Sequence, residues 1–309
     1  MTIATAPFHG VIPPVVTPRN ADGALDLPGV EAVVEHLVSG GVHGLFPLGS
    51  SGETPYLTNG ERREVLAAVV SANAGRVPLL VGANDQTTAR TVEEAKLVAE
   101  RGADAVVITT PYYAIFDRAE VVRHFRAVRA AVDLPVFAYD IPVRTHFKLD
   151  PALLAELAAE GTIAGVKDSS GNDIAFRQLR LLTQDIEGFA LFSGHEVVCD
   201  AAMLSGATGL VPGLANVDPA GYRRLYDAAV AGNWETARKE QDRLAELFRI
   251  VDVPDSARVS GGAGGLGAFK TALVQLGVFP SNRMSEPMES LNDAEASAIR
   301  GILDTAGLL

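Results

Sequence analysis

The sequence predicts an α/β fold, a closed (β/α)8 or TIM barrel that carries a C-terminal helical appendage. Three observations predict it. Eight short apolar runs rich in β-branched residues alternate with longer segments of helical periodicity. The runs begin roughly 20 to 35 residues apart, which is the length of one βα unit. After about residue 232 the alternation ends and only helical patterns follow.

The predicted strands are spaced evenly along the first part of the chain, at 11–17, 44–49, 78–83, 104–110, 135–140, 163–168, 190–194 and 208–212. Between them, segments such as 27–41 and 89–103 have apolar residues three and four apart and end at glycine, as amphipathic helices do. An open doubly wound sheet is the alternative arrangement. It would need G-x-G-x-x-G directly after the first strand, and the segment VVTPRNADG has no such loop, so the barrel is favoured.

The barrel is expected to span residues 1–232 and a C-terminal helical subdomain residues 233–309. The helical patterns of the appendage lie at 233–251, 264–278 and 291–309. The glycine-rich stretch 261–265 resembles a phosphate-binding loop, but it lacks a Gly-Lys-Ser/Thr ending and no strand precedes it. We therefore predict a flexible connector there.

Composition excludes several classes of function. Among 309 residues, 48% are hydrophobic and 21% charged, as in a core-forming globular protein. Acidic residues outnumber basic ones by 38 to 26, and a net charge of −12 argues against a nucleic-acid surface. Cys199 is the only cysteine, which excludes an intramolecular disulfide and a cysteine-based zinc site.

Metal binding, membrane insertion and secretion are also not expected. The six histidines have no close metal-ligand spacing. The most apolar long stretch, 197–217, contains Asp200 and Pro212 and is a poor membrane span. The first residues, MTIATAPFHGVIPP, show no basic region followed by an apolar core, so we expect a cytoplasmic protein.

Residues that could carry chemistry lie where the predicted strands end, because active sites of such barrels gather at the C-terminal ends of the strands. Reading only these positions selects a small set of polar residues. They are Ser50 and Ser51 in the GSSGE turn, Tyr113, Tyr139, Arg144, Lys167, and the run Gly194, His195 and Glu196. All of them would face one mouth of the barrel.

Lys167 gives the sharpest signal. It lies in the apolar strand IAGVKD, where an amine would face the barrel interior. Desolvation favours the neutral amine, which is the nucleophilic form and suits Schiff-base formation with a carbonyl substrate. The alternative is a lysine at the rim that pairs with Asp168 or another carboxylate.

The other candidates also have ordinary explanations. The GSSGE turn offers successive backbone N–H groups as a carboxylate cradle, or it is a glycine turn whose serine caps a helix. Tyr113 and Tyr139 could relay protons or simply pack at the rim. Arg144 could hold a carboxylate bidentately or form a surface ion pair.

Taken together, these residues resemble the dihydrodipicolinate synthase/N-acetylneuraminate lyase family of pyruvate-dependent class I aldolases. The resemblance covers nearly the whole chain, because its motifs occur in order at successive strand ends. They are VVTP, GSSGE, TTPYY, YDIPVRT, GVKDSSGN, SGHE and GLANV.

The resemblance implies a lyase in which Lys167 forms an iminium with pyruvate or another 2-oxo acid, with no metal or organic cofactor. Tyr139 would move protons, Ser51 would hydrogen-bond Tyr139, and Tyr113 would reach in from a neighbouring subunit of a homotetramer. The backbone of Ser50 and Ser51 would hold the substrate carboxylate. Substrate binding would further involve Arg144, Gly194, His195, Glu196 and Val211.

The resemblance leaves the second substrate open. The pair His195 and Glu196 suits the hydroxyls of a 2-oxo-3-deoxy sugar acid, in an aldolase or dehydratase. Arg144 matches the arginine that positions aspartate semialdehyde, so a 4-hydroxy-tetrahydrodipicolinate synthase of lysine biosynthesis is the alternative. Asp140 replaces the usual asparagine of the synthases. A non-catalytic homologue that binds a 2-oxo acid is a remote alternative.

Feedback inhibition by lysine is not expected. Synthases that lysine inhibits bind it in an allosteric pocket lined by polar and acidic residues. The positions that align with those residues hold Asn59, Arg62, Gln86 and Arg90 here. Two arginines would repel the ammonium group of a lysine effector.

Overall fold

The computed structural model describes residues 8–309, which form a parallel barrel wrapped by helices and extended by a helical C-terminal segment. Residues 1–7 lie outside the described part. The expectation of a cytoplasmic protein rests partly on these residues. Within residues 8–309, none of the helices has the length and apolar character of a membrane span.

The barrel wall consists of parallel strands. Within residues 8–309 there are seven: β1 (Gly10–Val11), β2 (Leu80–Gly82), β3 (Ala105–Ile108), β4 (Val136–Asp140), β5 (Gly165–Asp168), β6 (Ala190–Ser193) and β7 (Gly209–Leu210). Their order in the sheet is β1-β7-β6-β5-β4-β3-β2. Seven of the eight predicted strands are therefore present, each shorter than its apolar run.

The predicted strand 44–49 forms isolated bridges instead of a continuous strand. Parallel bridges join Phe46 to Pro14 and Leu45 to Leu79, so this segment lies between β1 and β2 and closes the barrel. It cannot continue as a strand, because Pro47 has no N–H and Leu48 has a left-handed φ of 57°. A Cβ at Gly82 would lie 2.0 Å from the Leu48 carbonyl oxygen, so the close approach requires glycine there.

Twelve α-helices occur in residues 8–309, and most alternate with the strands. They are α1 (Leu27–Ser39), α2 (Asn59–Asn73), α3 (Thr88–Glu100), α4 (Arg118–Arg129), α5 (Pro142–Thr145), α6 (Pro151–Ala159), α7 (Asp173–Leu182), α8 (Cys199–Leu204), α9 (Pro219–Val230), α10 (Trp234–Phe248), α11 (Gly261–Gln275) and α12 (Asp293–Thr305). The predicted helices 27–41 and 89–103 correspond to α1 and α3. Capping boxes begin α2, α4 and α12, which explains their sharp starts.

Aromatic rings fill the barrel interior. Phe137 and Phe192 stack with their ring centroids 5.6 Å apart, and Phe46 meets Tyr139 edge to face at 6.1 Å. These rings pack with inward-facing aliphatic side chains of the strands into a buried cluster separate from the core between strands and helices. The interior is thus a packed core, and an amine placed in it is shielded from water.

The glycine-rich stretch 261–265 is not a flexible connector; that prediction was wrong. It forms the first turn of α11, which begins at Ser260 because the Ser260 hydroxyl accepts a hydrogen bond from the N–H of Ala263 at 3.4 Å. The glycines permit close packing: a Cβ at Gly262 would lie 2.4 Å from the Arg144 guanidinium. The apolar side chains of α10, α11 and α12 belong to the same hydrophobic core as the barrel helices.

A buried ion pair ties the barrel to this appendage. Glu53, in the GSSGE turn, is fully buried and adopts a left-handed φ of 58°. Its Oε1 lies 2.5 Å from Nζ of Lys270, which is fully buried in α11, and its Oε2 accepts the N–H of Ser285 at 2.8 Å. Burial lowers the pKa of Lys270, and the Glu53 carboxylate acts in the opposite direction.

A second buried carboxylate ends β4. Asp140 is 1% exposed, pairs with the half-buried Lys148 and accepts the N–H of Leu149 at 3.1 Å. Burial raises the pKa of Asp140 from 3.8 to about 6, although Lys148 opposes the rise; the Asp168 carboxylate adds to it. The negative charge of Asp140 is therefore only partly compensated.

We predict that Lys270→Met destabilises the fold by about 3–5 kcal/mol, because it leaves the Glu53 carboxylate buried without a counter-ion. Adding Glu53→Gln should recover part of the loss, since the charge is then gone. Denaturant unfolding followed by circular dichroism measures both. The control is Arg238→Met, which removes an exposed pair with Asp242 and should cost less than about 1 kcal/mol. Equal losses for Lys270→Met and Arg238→Met would contradict the prediction.

We predict that Asp140→Asn stabilises the fold at pH 7.5 and has little effect near pH 4. The pKa in the folded state lies above the ordinary value, so the charged carboxylate opposes folding as pH rises from about 4 through about 6. The gain is at most about 3 kcal/mol, at about 1.4 kcal/mol per pKa unit. Unfolding midpoints at several pH values test this, with the exposed Asp133→Asn as control. A gain independent of pH would refute it.

Candidate active site

A cavity of about 520 Å³ opens where the barrel strands end, between the strand ends and the C-terminal helices. The barrel contributes the polar part of its lining, in segments that follow successive strands. These residues include Ser50, Ser51, Thr54, Asn84, Thr109, Tyr112, Arg144, Thr145 and Glu196. The appendage contributes the opposite wall. The position agrees with the site expected at the mouth of the barrel.

Lys167 lies one layer beneath this cavity. It is 5% exposed on β5, in register with Tyr139 on β4, and its Nζ is 4.2 Å from the centroid of the Tyr139 ring and 4.9 Å from that of Phe46. The Phe46 ring in turn packs against Gly49, which lines the cavity. One aromatic ring thus separates the amine from the cavity wall on this side.

Lys167 differs from the other four lysines. Lys96 is exposed, whereas Lys148, Lys239 and Lys270 each pair with a carboxylate. Within residues 8–309, Lys167 is the one buried lysine with neither a carboxylate nor a hydrogen-bond acceptor in contact with Nζ. Pairing with Asp168, the alternative considered from the sequence, does not occur.

The GSSGE turn presents two free N–H groups to the cavity. The N–H groups of Ser50 and Ser51 donate to no acceptor within residues 8–309. Hydrogen bonds to the carbonyls of the neighbouring Gly49 and Gly52 hold the turn in place. The Thr54 hydroxyl donates to the carbonyl of Gly49 at 2.9 Å, and the Thr17 hydroxyl donates to that of Gly52 at 2.9 Å. Adjacent free donors on a fixed turn can hold a carboxylate.

Tyr139 is buried beside Lys167, and its hydroxyl has no partner among the described residues. The hydrogen bond from Ser51 to Tyr139 that the family resemblance implies is not formed between these two described side chains. Ser51 lines the cavity, whereas Tyr139 is not part of its lining. The Ser51 hydroxyl is therefore open to the cavity, whereas the Tyr139 hydroxyl lies beneath it.

The two tyrosines that follow β3 have different positions. Tyr113 is 86% exposed and lies outside the cavity, beside the equally exposed Ile115. Tyr112 lines the cavity, and burial raises the pKa of its hydroxyl. The motif TTPYY alone does not show that Tyr112 is the ring that lines the cavity of its own subunit, whereas the role predicted for Tyr113 lies in a neighbouring subunit.

Arg144 lies in α5 and lines the cavity with an exposed guanidinium. It pairs with no carboxylate of residues 8–309, so the surface ion pair considered from the sequence is absent. An unpaired guanidinium next to a substrate cavity is free to bind an anionic group.

Two candidate residues after β6, Glu196 and His195, point in different directions. Glu196 lines the cavity; its Oε1 accepts the N–H of Gly213 at 2.9 Å, and burial raises its pKa. His195 turns away, and its Nε2 accepts the N–H of Gly171 at 2.9 Å outside the cavity.

Two further candidates, Gly194 and Val211, lie near Lys167. Gly194 packs on Lys167, where a Cβ would lie 3.0 Å from Cε. Val211 faces the barrel interior in a void of about 10 Å³ that Lys167 also lines.

Arg62 and Arg90, which occupy positions of the allosteric lysine pocket that the sequence predicts to be lost, both contact one carboxylate of the protein. Asp85 is buried, with Oδ1 2.7 Å from Nε of Arg90 and Oδ2 3.5 Å from NH1 of Arg62. For a metal, residues 8–309 contain no cluster of three His, Cys, Asp or Glu side chains that would serve as a ligand set.

Comparison with known proteins identifies the family of this chain. A sequence model described as the dihydrodipicolinate synthetase family matches residues 7–306. A 4-hydroxy-tetrahydrodipicolinate synthase of Methanosphaerula palustris is 35% identical over 300 residues, which are 96% of this chain and 99% of that protein. An uncharacterized DapA-like lyase of Halobacterium salinarum is 36% identical over 305 residues, 98% of this chain and 95% of that protein.

A solved structure has the same fold. YagE, a prophage protein belonging to the dihydrodipicolinic acid synthase family from E. coli K12 and crystallised in complex with pyruvate, superposes with a TM-score of 0.91 at 29% identity. The match covers 98% of this chain and 100% of that chain. The chain described here therefore belongs to the dihydrodipicolinate synthetase family and is an enzyme of the lyase class.

Proposed function

We propose that the enzyme is a Schiff-base-forming class I aldolase, which makes or breaks a bond in a 2-oxo acid of the pyruvate type through Lys167. The observation that carries the proposal is the buried, unpaired amine of Lys167 beside the Tyr139 ring. A lysine that only stabilised the fold would have a counter-ion, as Lys270 does. The complex of YagE with pyruvate supports the choice of 2-oxo acid.

Substrate binding begins at the GSSGE turn. The free N–H groups of Ser50 and Ser51 would donate hydrogen bonds to the carboxylate of pyruvate, which would direct its C2 carbonyl toward the barrel interior. Binding a carboxylate there completes the hydrogen bonding of two backbone donors that the fold leaves unpaired.

The covalent step joins Nζ of Lys167 to C2. The carbonyl oxygen leaves as water, with one proton from the amine and one from the Tyr139 hydroxyl, and a protonated imine remains. The Tyr139 phenolate then removes a proton from C3, and the electron pair of that C–H bond flows to the nitrogen to give an enamine. Because the iminium nitrogen is the electron sink, the proposed mechanism uses no metal and no organic cofactor.

The second substrate determines which reaction follows. An enamine attacks an aldehyde in the synthetic direction, or forms when an aldehyde or hydroxyl group leaves in the catabolic direction. In the synthase alternative, Arg144 would receive the anionic group of aspartate semialdehyde. We further propose that the enzyme is a cytoplasmic homotetramer.

We predict that incubation with pyruvate and borohydride adds one reduced pyruvate to Lys167, detected by peptide mass spectrometry. The amine of Lys167 is shielded and unpaired, whereas the control Lys239→Ala removes an exposed lysine paired with Glu235 and should leave labelling unchanged. Lys167→Ala should abolish it. An enzyme that turns over 2-oxo acids without any adduct, or that stays active as Lys167→Ala, would refute the Schiff base. A chain that forms no adduct and turns over no 2-oxo acid would be the non-catalytic homologue.

We predict that Tyr113→Phe lowers kcat at least about tenfold, the lower part of the range for a lost proton-transfer group, without changing the unfolding midpoint. Tyr113 is too exposed to serve the cavity of its own subunit, so its hydroxyl would act in a neighbouring one. Mixing Tyr113→Phe with Tyr139→Phe subunits tests this directly. If Tyr113 crosses the interface, hybrid tetramers regain some intact sites and activity rises above that of either variant. No recovery in verified hybrids would contradict the arrangement.

A further inference from the structure

We infer that the aldehyde partner of this enzyme has an apolar body, aromatic or branched aliphatic, rather than the polyol chain of a sugar acid. The inference rests on the proposed function and deepens it by naming the class of the second substrate. Three observations support it: one wall of the cavity is apolar, several of its hydroxyl groups already donate hydrogen bonds within the protein, and its volume exceeds that of pyruvate.

The appendage wall of the cavity is apolar. Residues after 232 contribute five apolar side chains to it, from α10, the short 3-10 turn that follows, α11 and the loop before α12. They are Phe248, Val251, Leu266, Phe269 and Met288. The rings of Phe248 and Phe269 lie 6.4 Å apart and form the centre of this surface.

Only one polar side chain on that wall accompanies them, the hydroxyl of Ser260, and it already caps α11. The other positions are Gly261, Gly262, Ala263 and Gly265, which carry no polar side chain. A polyol placed here would lose its hydrogen bonds to water and gain none from side chains, which is unfavourable. An apolar group would gain by leaving water.

Several polar groups on the barrel side are also committed. The hydroxyl of Thr54 donates to Gly49, that of Thr109 to Thr110, and that of Thr145 to the carbonyl of Ile141 at 3.2 Å. The lining side chains that keep a polar atom without a partner within residues 8–309 also lie on the barrel side, and they include Ser50, Ser51, Tyr112 and Arg144. This is the side on which the 2-oxo acid head group would bind.

The cavity has room for both substrates. Pyruvate has six heavy atoms, which occupy about 180 Å³ if each takes roughly the liquid volume of a water molecule. More than half of the 520 Å³ then remains, and it borders the appendage wall. An amphipathic arrangement follows, with the oxo acid at the strand ends and the apolar body against α10 and α11.

In the reaction, C3 of the enamine attacks the carbonyl carbon of the aldehyde and forms a C–C bond. The aldehyde oxygen takes a proton from Tyr139 and becomes a hydroxyl, while the nitrogen returns to the iminium state. Water then adds to C2, the C–N bond breaks, and Lys167 is released with a 4-hydroxy-2-oxo acid as product.

The test compares kcat/KM for condensation of pyruvate with benzaldehyde and 2-methylpropanal against aspartate semialdehyde and D-glyceraldehyde, with product measured by mass spectrometry. We expect the apolar aldehydes to be preferred at least about tenfold, a ratio that hydrophobic pockets reach for small differences in apolar surface. A preference for either polar aldehyde would overturn the inference.

The variant Leu266→Asn places an amide on the apolar wall, and we expect it to lower the preference for apolar aldehydes about tenfold. Leu276→Asn makes the same change at the C-terminal end of α11, outside the cavity, and should leave the ratio unchanged. Equal ratios in the two variants would refute the role of the wall. The borohydride adduct on wild-type Lys167 keeps the two proposals separate: an adduct with a polar preference refutes only the substrate class, and no adduct refutes the Schiff base itself.

Discussion

The ion pair between Glu53 and Lys270 is the interaction on which the arrangement of the site depends. It joins residues 217 positions apart and is fully buried, so it forms only if the appendage packs against the barrel. Its carboxylate belongs to the turn whose N–H groups would hold the substrate, and its amine belongs to the helix that lines the cavity. The pair therefore links the cradle directly to the opposite wall of the cavity. Because burial of charge is costly without a partner, neither half is stable in this geometry alone.

The two buried lysines show how one residue type serves opposite purposes. Lys270 has a carboxylate and a carbonyl as partners, since Nζ also donates to the oxygen of Arg283 at 2.8 Å. Lys167 has aromatic rings beside it and no acceptor, so its amine is available for reaction. The difference arises from the neighbouring strands and not from the lysines themselves. Register places Tyr139 next to Lys167, and the fold places Phe46 above both.

Much of the fold and of the candidate site could be predicted from the sequence, because both follow from periodic local patterns. The alternation of apolar runs and helices specifies the barrel, and strand ends locate Lys167, Tyr139 and the GSSGE turn. The appendage wall could not be predicted, because its residues come from helices whose packing on the barrel leaves no periodic signal. Gly262 shows the difficulty: glycine usually signals a turn, yet here it permits a helix to approach Arg144. Orientation was equally hidden at Tyr112 and His195, where adjacent residues point to different sides.

The apolar wall would allow the substrate range of relatives to change in evolution independently of the barrel. In the proposed reaction, the bond-making groups come from the barrel, and the surface that the second substrate would meet comes largely from residues 248–288. Chemistry and selectivity are thus encoded in separate stretches of one chain. Exchange of that stretch among relatives would alter the range of accepted aldehydes while the iminium chemistry stays the same. One position is fixed in any such exchange: an incoming helix has to supply the ammonium of Lys270, or the barrel loses the cradle as well.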